Sequence, residues 1–330
     1  MKTIKKYPLL IIGTGPAGLT ASIYASRYGI NHMIIGEAMG GLVFESHKIC
    51  NFPGEQDISG IELINKIQKH AESLGHSLLI DKIVNISQKK KVFEIITQNK
   101  KVFLSDTILL AAGTKHRRLN LPDENKFIGH GISYCATCDA MFYKDKIVAV
   151  VGGSDSANTA SLYLSQIAKK VYQIYRKDKL RGITAWIDQI KNNKKIEIIY
   201  NQEIIGLRGK EKLEKIILNN SYQGKKEIAI NGLFIEIGAI PDKTLIQEAL
   251  LKTDKNGYIK VTPDQKTSRN GIWAAGDITT ASNNFHQIIT ACSEGAIAVE
   301  SIFNFLQQNE YSGIRESNPC FDLGKVAFYH

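Results

Sequence analysis

The stretch LLIIGTGPAG, residues Leu9–Gly18, decides the fold of the N-terminal part of the chain. Its four apolar residues suit a buried strand, and the GxGxxG pattern that follows suits a tight turn into a helix. Helical spacing runs from Ala17 to Tyr28, Gly29 suits a helix end, and Met33–Ile35 is typical of a second strand. In this order the glycines let a dinucleotide pyrophosphate approach the helix N-terminus. The predicted contacts are Gly13, Gly15, Pro16, Ala17, Gly18 and, at a ribose, Glu37.

The same pattern returns once, 139 residues further along the chain. Ile147–Val151 is wholly apolar, as a buried parallel strand should be, and a Gly-rich turn leads into a helix predicted over Ser156–Ala168. A strand predicted over Val171–Tyr175 is followed by a basic segment, where an acid would contact the ribose of NAD. Basic groups suit a 2′-phosphate and therefore NADP, although a basic loop in a basic protein is the alternative. The residues predicted here are Gly152, Gly153, Ser154, Asp155, Ser156, Ala157, Arg176, Lys177 and Arg181.

Between the two units lies the sequence CATCD, residues 135–139. A closely spaced dithiol is either a redox pair or half of a zinc site, and zinc sites usually combine two such clusters or one cluster with paired histidines. The chain has one such cluster, and Cys50, Cys292 and Cys320 stand alone. Beside nucleotide-binding patterns, Cys135 and Cys138 predict a reversible disulfide and no metal site. Two buried structural cysteines are the less specific alternative.

Length and composition limit the classes of function. A chain of 330 residues suits two domains, and five cysteines are too few for a secreted disulfide scaffold. The formal net charge of +10 comes from scattered lysines, which argues against a nucleic-acid-binding stripe and leaves room for an acidic protein partner. No apolar run suits a signal peptide or a membrane span. We therefore expect a cytoplasmic protein with neither nucleic acid nor membrane as its partner.

Several further motifs, in this order and spacing, resemble those of the low-molecular-weight thioredoxin reductases. The resemblance runs over nearly all of residues 8–308. The motifs that carry it are GTGPAG at 13–18, NFPG at 51–54, CATCD at 135–139, LYLS at 162–165, IGAIP at 237–241 and WAAGD at 273–277. None is decisive alone, but together they are highly specific.

The resemblance implies an α/β protein with two Rossmann-like three-layer nucleotide-binding domains, the second inserted into the first. Residues 1–115 and 243–330 would bind FAD, and residues 116–242 would bind NAD(P)H and carry the CxxC pair. The chain would cross between domains at Ala112–Thr114 and Ile240–Asp242, whose composition suits connecting segments. The inserted domain would rotate so that nicotinamide and dithiol take turns at the flavin. The family is usually homodimeric.

Residue roles also follow from the resemblance. Asp277 would hydrogen-bond the ribityl chain of FAD, and Asn51 would lie near the isoalloxazine. The remaining FAD contacts would come from the first crossing and from the start of the last helix, at Gly113, Gly276, His286, Gln287 and Ile288. His286 stands where the family commonly has arginine.

Electrons would pass from NADPH to FAD, then to the Cys135–Cys138 disulfide, and finally to a thioredoxin. The resemblance makes Cys138 the sulfur nearer the flavin and Cys135 the exchanging sulfur. Asp139 would act as general acid or base, and a helix-capping role is its structural alternative.

The second nucleotide turn departs from the family pattern. Ser154 replaces a glycine at the closest approach to the pyrophosphate, and Thr159 and Ala160 replace two acidic residues. Lys177 keeps the charge but not the planar fork of the usual arginine. We therefore expect weakened NADPH binding, with reduced ferredoxin as the alternative donor. A second alternative is a flavoprotein similar to ferredoxin–NADP reductase, in which the dithiol does little; the intact CxxC followed by Asp139 argues against it. A third is the reductase of a peroxidase system, which would usually carry an extra N-terminal redox domain, whereas this sequence begins at the flavin strand. The tail 309–330 either covers the flavin with its aromatic end or is a disordered or non-native segment.

Overall fold

The computed structural model of the chain describes residues 4–46, 49, 51–75 and 77–309. The predictions for Cys50, Cys320 and the tail 310–330 lie outside these residues. The chain divides into two units, of which the first runs to Lys115 and resumes at Ile240, and the second comprises His116–Ala239. Each unit contains a mainly parallel sheet with packed helices, so the α/β prediction is confirmed.

The elements up to the first crossing are β1 (Lys6–Ile12), α1 (Pro16–Arg27), β2 (His32–Gly36), α2 (Gly60–Ser73), β3 (Ser77–Ile80), β4 (Ile83–Lys89), β5 (Val92–Thr97), β6 (Val102–Leu110) and β7 (Thr114–His116). Those of the second unit are α3 (Glu124–Phe127), β8 (Ile132–Ser133), α4 (Ala136–Asp139), β9 (Ile147–Val151), α5 (Asp155–Ile167), β10 (Lys170–Tyr175), α6 (Thr184–Asn192), β11 (Ile196–Tyr200), β12 (Ile204–Arg208), β13 (Lys215–Tyr222), β14 (Lys225–Ala229) and β15 (Gly232–Ile235). Those that follow are β16 (Ala239–Pro241), α7 (Lys243–Glu248), β17 (Ile272–Ala274) and α8 (Ile288–Gln308). Short 3₁₀ turns lie at Gly41–Glu45, Ala140–Tyr143 and Ala281–Asn284.

The first unit is built on a seven-stranded sheet in the order β3-β2-β1-β6-β5-β4, with β17 paired to β6. Strands β3, β2, β1, β6 and β17 are parallel, whereas β5 and β4 form an antiparallel extension. Side chains alternate along β1, so Leu9 and Ile11 face one core and Leu10 and Ile12 face another. The first of these cores is shared with α1 and α8, and the second with β5 and α7.

The second unit is built on a five-stranded parallel sheet in the order β11-β10-β9-β15-β8. A separate antiparallel sheet, β12-β13-β14, belongs to the same unit. Ala157 and Leu164 of α5 share one core with Val148 of β9 and Val171 of β10. The predicted repeat is confirmed, because β1-α1-β2 and β9-α5-β10 are both strand, turn, helix and parallel strand. Both helices begin and end one residue earlier than predicted.

Helix α8 is the last element of the first unit within the described residues. By length and composition alone it could cross a membrane, the one such helix within the ranges that the structure describes. Its buried residues recur on one side, at Ala291, Ala298, Ile302 and Leu306, and they join the core that α1 also enters. This is the pattern of a core helix in a folded domain.

Candidate functional site

The first Gly-rich turn is held by contacts that exclude a side chain. Gly13 has φ +128°, and a Cβ there would lie 2.1 Å from the carbonyl oxygen of Ala111. A Cβ on Gly18 would lie 2.0 Å from the carbonyl oxygen of Gly13, so the start of α1 can approach the turn only with glycine there. Pro16 is the first residue of α1 and Gly15 its N-cap. The turn therefore presents the N-terminus of a twelve-residue helix, which suits an anionic group.

The segment after β17, which also belongs to the first unit, carries the carboxylate of Asp277. Asp277 follows Gly276, and no described group donates a hydrogen bond to its carboxylate. Burial is the main cause that raises the pKa of Asp277, the charge of Glu294 raises it further, and His286 opposes this. A half-buried acceptor without a donor fits a hydroxyl-bearing ligand such as the ribityl chain.

Glu294 of α8 fixes that segment, and the sequence analysis missed it. The side chain is 5% exposed, and its carboxylate accepts three hydrogen bonds. The donors are the backbone N–H of Gly276 at 2.7 Å, the hydroxyl of Thr279 at 3.0 Å and the hydroxyl of Ser282 at 2.7 Å. Full hydrogen bonding explains how a charged group is accommodated here. An acid within the apolar stripe of a helix was the available signal.

Three of the FAD contacts that the resemblance implies, Asn51, Gln287 and Ile288, lie at or beside the start of α8. Gln287 is the N-cap, Ile288 begins the helix, and the amide of Asn51 donates to Oε1 of Gln287 at 3.0 Å. His286 packs against Tyr258, with ring centroids 5.1 Å apart. Its Nε2 atom is buried and makes no hydrogen bond to residues 4–46, 49, 51–75 and 77–309. The structure thus brings Asn51, Gln287 and Ile288 together.

The carboxylate of Glu37, which was predicted to accept from a ribose hydroxyl, is paired with two lysines. It follows β2, is half-exposed, and pairs with Lys115 at 2.8 Å and Lys82 at 3.3 Å. The hydrogen bond from Lys115 is the main cause that lowers the pKa of the Glu37 carboxyl. Lys115 also pairs with Asp242, the N-cap of α7, at 2.9 Å. A ribose hydroxyl would have to share this carboxylate with two lysines.

Gly113 stands just before β7, and no described atom lies within 4 Å of the place a Cβ would take. Its φ of +60° suits glycine in a connecting segment. The open space beside it is compatible with the predicted ligand contact.

The second Gly-rich turn repeats the geometry of the first. Gly152 has φ +146°, and a Cβ on Gly153 would lie 2.4 Å from the ring of Tyr175. Ser154 is the N-cap of α5 in an extended conformation, and its hydroxyl makes no capping bond to described residues. Asp155 begins α5, and its carboxylate accepts from the N–H of Ile183 at 2.7 Å. Ser156 is exposed on the first turn, and Ala157 is buried against the sheet.

Three basic side chains follow β10 on the same unit. Arg176, Lys177 and Arg181 are exposed, and within the described part of the chain none pairs with a carboxylate. The backbone N–H of Arg181 donates to the carbonyl oxygen of Gly153 at 2.7 Å, so this basic loop lies against the Gly-rich turn. Uncompensated cations beside a helix N-terminus suit a phosphate.

The two cysteines of the CxxC sequence form a disulfide with a Cα–Cα distance of 5.4 Å. Cys135 is half-buried, Cys138 is exposed, and the N–H of Cys138 donates to Sγ of Cys135 at 3.1 Å. Asp139 ends α4, and its N–H donates to the carbonyl oxygen of Cys135 at 3.2 Å. Burial first, and then the charge of Asp139, raise the pKa of Tyr143. Among described residues no cluster suits a metal ion.

The segment before the disulfide is anchored by a second buried acid that the sequence analysis missed. Glu124 is 3% exposed and accepts from the N–H groups of Leu119 and Leu121 and from the hydroxyl of Tyr134. Burial first, and then this bond to Glu124, raise the pKa of Tyr134. Tyr134 directly precedes Cys135, so the acid fixes the approach to the redox pair.

Comparison with known proteins gives the same picture. Residues 7–295 match the family described as pyridine nucleotide-disulphide oxidoreductase. A thioredoxin reductase of Treponema pallidum (strain Nichols) is 34% identical over 303 residues, 91% of this chain and 97% of the relative. The crystal structure of Lactococcus lactis thioredoxin reductase (FR conformation) matches with a TM-score of 0.85 and 31% identity, covering 92% and 99% of the chains. A ferredoxin-flavin thioredoxin reductase from Clostridium acetobutylicum matches with a TM-score of 0.51 and 30% identity, covering 93% and 100%. The chain therefore belongs to the low-molecular-weight thioredoxin reductases, within the pyridine nucleotide-disulphide oxidoreductase family.

Proposed function

We propose that this protein is a thioredoxin reductase, which uses NADPH and FAD to reduce the disulfide of a thioredoxin through its Cys135–Cys138 pair. The observation that carries the proposal is the disulfide at a CxxC sequence, held in a chain with two glycine-turn nucleotide units. Long similarity to thioredoxin reductases supports it.

The first unit offers the better fit to FAD. The turn at Gly13–Gly18 provides a helix N-terminus for the pyrophosphate, and Asp277 provides an acceptor that no described residue occupies. Asn51, Gln287 and Ile288 would line the flavin ring, as the family resemblance implies. These residues would hold FAD, which would supply a hydride acceptor for the nicotinamide and a two-electron donor for the disulfide. We assign residues 1–115 and 243–330 to this domain.

The proposed NADPH-binding domain, which we assign to residues 116–242, fits its ligand less fully. Arg176, Lys177 and Arg181 supply three uncompensated charges for the 2′-phosphate. Ser154 places a side chain where the pyrophosphate would pass closest to the backbone. We infer that NADPH binds here with reduced affinity and that NADH binds more weakly still.

At the redox pair, two electrons and two protons convert the disulfide into two thiols. Loss of a proton from one thiol gives the thiolate that attacks a sulfur of the thioredoxin disulfide and forms a mixed disulfide. The second sulfur then attacks its neighbour, which restores the Cys135–Cys138 bond and releases reduced thioredoxin. The N–H of Cys138 would stabilise a Cys135 thiolate, which supports Cys135 as the exchanging sulfur. The greater exposure of Cys138 favours the opposite assignment.

Asp139 is the proposed proton donor and acceptor for this dithiol. It lies directly after Cys138 in the same short helix, and it is half-buried. In its protonated form the carboxyl group can supply a proton to the sulfur that leaves the disulfide, and as a carboxylate it can take a proton back when the disulfide forms again.

The test is turnover of an oxidised thioredoxin by the FAD-loaded enzyme with NADPH. Cys135→Ser and Cys138→Ser should each abolish turnover while the flavin absorbance is retained. Cys292→Ser is the matched control, because Cys292 is a free thiol distant in sequence from the pair. Turnover close to wild type in either single variant would exclude the dithiol relay.

Reduced ferredoxin is the second candidate donor. Ser154 at the second turn favours it, and so does the match to a solved ferredoxin-flavin thioredoxin reductase. Anaerobic titration with NADPH, NADH and reduced ferredoxin, followed by flavin absorbance, separates the donors. A homodimer and a cytoplasmic location complete the proposal, the latter because a disulfide that must be reduced in each cycle suits a reducing compartment.

A further inference from the structure

A cluster of polar side chains lies buried between α5 and β10, beneath the second Gly-rich turn. Asn158, Ser161 and Gln173 are each 0% exposed. Asn158 and Ser161 are three residues apart on α5 and therefore share a helix face, while Gln173 lies on β10. The surrounding side chains are apolar, as expected where a helix covers a parallel sheet. The polar cluster is thus an exception to the packing around it.

Two of these side chains form a relay from the turn to the basic loop. Nε2 of Gln173 donates to Oδ1 of Asn158 at 3.0 Å and to the carbonyl oxygen of Gly152 at 3.4 Å. Nδ2 of Asn158 donates to the carbonyl oxygen of Arg181 at 2.9 Å. The N–H of Arg181 in turn donates to the carbonyl oxygen of Gly153 at 2.7 Å. The backbone of Arg181 is consequently held from both sides.

The cluster is not arranged for stability alone. Oε1 of Gln173, Oγ of Ser161 and the hydroxyl of Tyr175 are buried without a partner in the described residues. Buried polar groups that lack partners oppose folding, and apolar side chains of similar size would remove that cost. The hydrogen bonds that the side chains of Asn158 and Gln173 make join them to each other, to Gly152 in the turn and to Arg181.

We propose that Asn158 and Gln173 are positioning residues that fix Arg181 beside the turn and so set the preference for nucleotides with a 2′-phosphate. The inference rests on the proposed function, because it deepens the assignment of NADPH to this unit. An arginine recognises phosphate through a planar fork whose placement depends on its backbone. A backbone fixed before binding loses less conformational freedom on binding. The shorter bonds of the relay, 3.0 Å and 2.9 Å long, lead to Arg181, whereas the bond to Gly152 is 3.4 Å long, so the effect should concentrate on the 2′-phosphate.

Binding of NADP⁺ and NAD⁺ to the FAD-loaded enzyme tests this, because the two nucleotides differ only in the 2′-phosphate. Asn158→Ala and Gln173→Leu should each weaken NADP⁺ binding by about tenfold in calorimetry and change NAD⁺ binding by less than about twofold. Ser161→Ala is the matched control, since it lies on the same buried face and its hydroxyl has no partner among described residues. Equal weakening for both nucleotides, or unchanged NADP⁺ binding, would overturn the proposal. Gln173→Leu decides the matter if Asn158→Ala does not fold.

Amide hydrogen exchange supplies a measurement without nucleotide. The N–H groups of Arg181 and Ile183 should exchange about tenfold faster in Asn158→Ala than in wild type and Ser161→Ala. Unchanged protection would overturn the positioning role. If the exchange result holds but wild type does not bind NADP⁺, the 2′-phosphate preference and the NADPH donor both fall. Disulfide reduction by Cys135 and Cys138 with another donor would then still be measurable, so the two failures are distinguishable.

Discussion

Replacing Glu294 by alanine tests how the first unit holds its ligand-facing segment. The change removes one acceptor from three donors, namely the N–H of Gly276 and the hydroxyls of Thr279 and Ser282. Gly276 and Thr279 are buried, so each loses a partner that water cannot easily replace, whereas Ser282 is exposed. At about 1–3 kcal/mol for each buried unsatisfied group, the expected loss in free energy of unfolding is about 2–6 kcal/mol. Relief of the repulsion with Asp277 offsets part of this loss.

The assay is urea unfolding followed by tryptophan fluorescence. The chain has two tryptophans, so a Trp186→Phe background leaves Trp273, which is buried in the first unit and donates to Ser301. Glu300→Ala is the control, because Glu300 lies on the same helix but is exposed, and its effect should stay within about 0.5 kcal/mol. Glu294→Gln keeps one acceptor oxygen and should lie between the two. The reasoning is refuted if Glu294→Ala and Glu300→Ala unfold at the same urea concentration.

Three further predictions concern the proposed chemistry. Asp139→Asn should slow the dithiol half-reaction by about 10²–10⁴-fold in stopped-flow while flavin reduction by the donor stays fast, and equal slowing of both would mean a structural role. Burial raises the pKa of Asp277 above its ordinary value of 3.8, so the folded state binds this proton more tightly than the unfolded state and gains stability as pH falls through the raised pKa. Asp277→Asn should therefore raise the urea midpoint of the FAD-free protein at neutral pH and weaken FAD binding. The gain in the urea midpoint should shrink as the pH falls towards 3.8. A difference in midpoint that does not change with pH would contradict this. Ser154→Gly should tighten NADPH about ten- to hundredfold and speed flavin reduction, and no reduction by NADPH in either form, with reduction by ferredoxin, would remove NADPH as the donor.

The sequence was most informative where structure is local. The two glycine turns, their strands and the helices after them depend on neighbouring residues, and their limits were predicted to within one residue, except that β1 begins three residues before the predicted Leu9. The family motifs likewise led to the correct family. The antiparallel sheet β12-β13-β14 carries no such motif and was not predicted.

Side chains that act through distant partners could not be found in this way. Glu294 is 18 residues from Gly276, and Asn158 is 15 residues from Gln173 and 23 from Arg181. In the sequence, Asn158 and Gln173 look like ordinary polar residues. The acid Glu294 within an apolar helix stripe is unusual, but its position does not reveal which groups it binds. Glu37 was expected to be a ribose acceptor, but nothing local to it announces the lysines 45 and 78 residues away that it pairs with.

The pairing of β7 with β16 has a consequence for how this chain can be cut and rejoined. The two strands are hydrogen-bonded neighbours, and adjacent strands lie about 5 Å apart. Because they contain both junctions of the inserted unit, its first and last residues are close in space although the whole of His116–Ala239 separates them in sequence. The inserted unit therefore begins and ends at neighbouring points, as domains that tolerate insertion into another chain commonly do. Excising it and joining Lys115 to Ile240 through a short linker should leave a first unit that folds by itself, and a foreign domain with similarly close ends should be accepted at the same place.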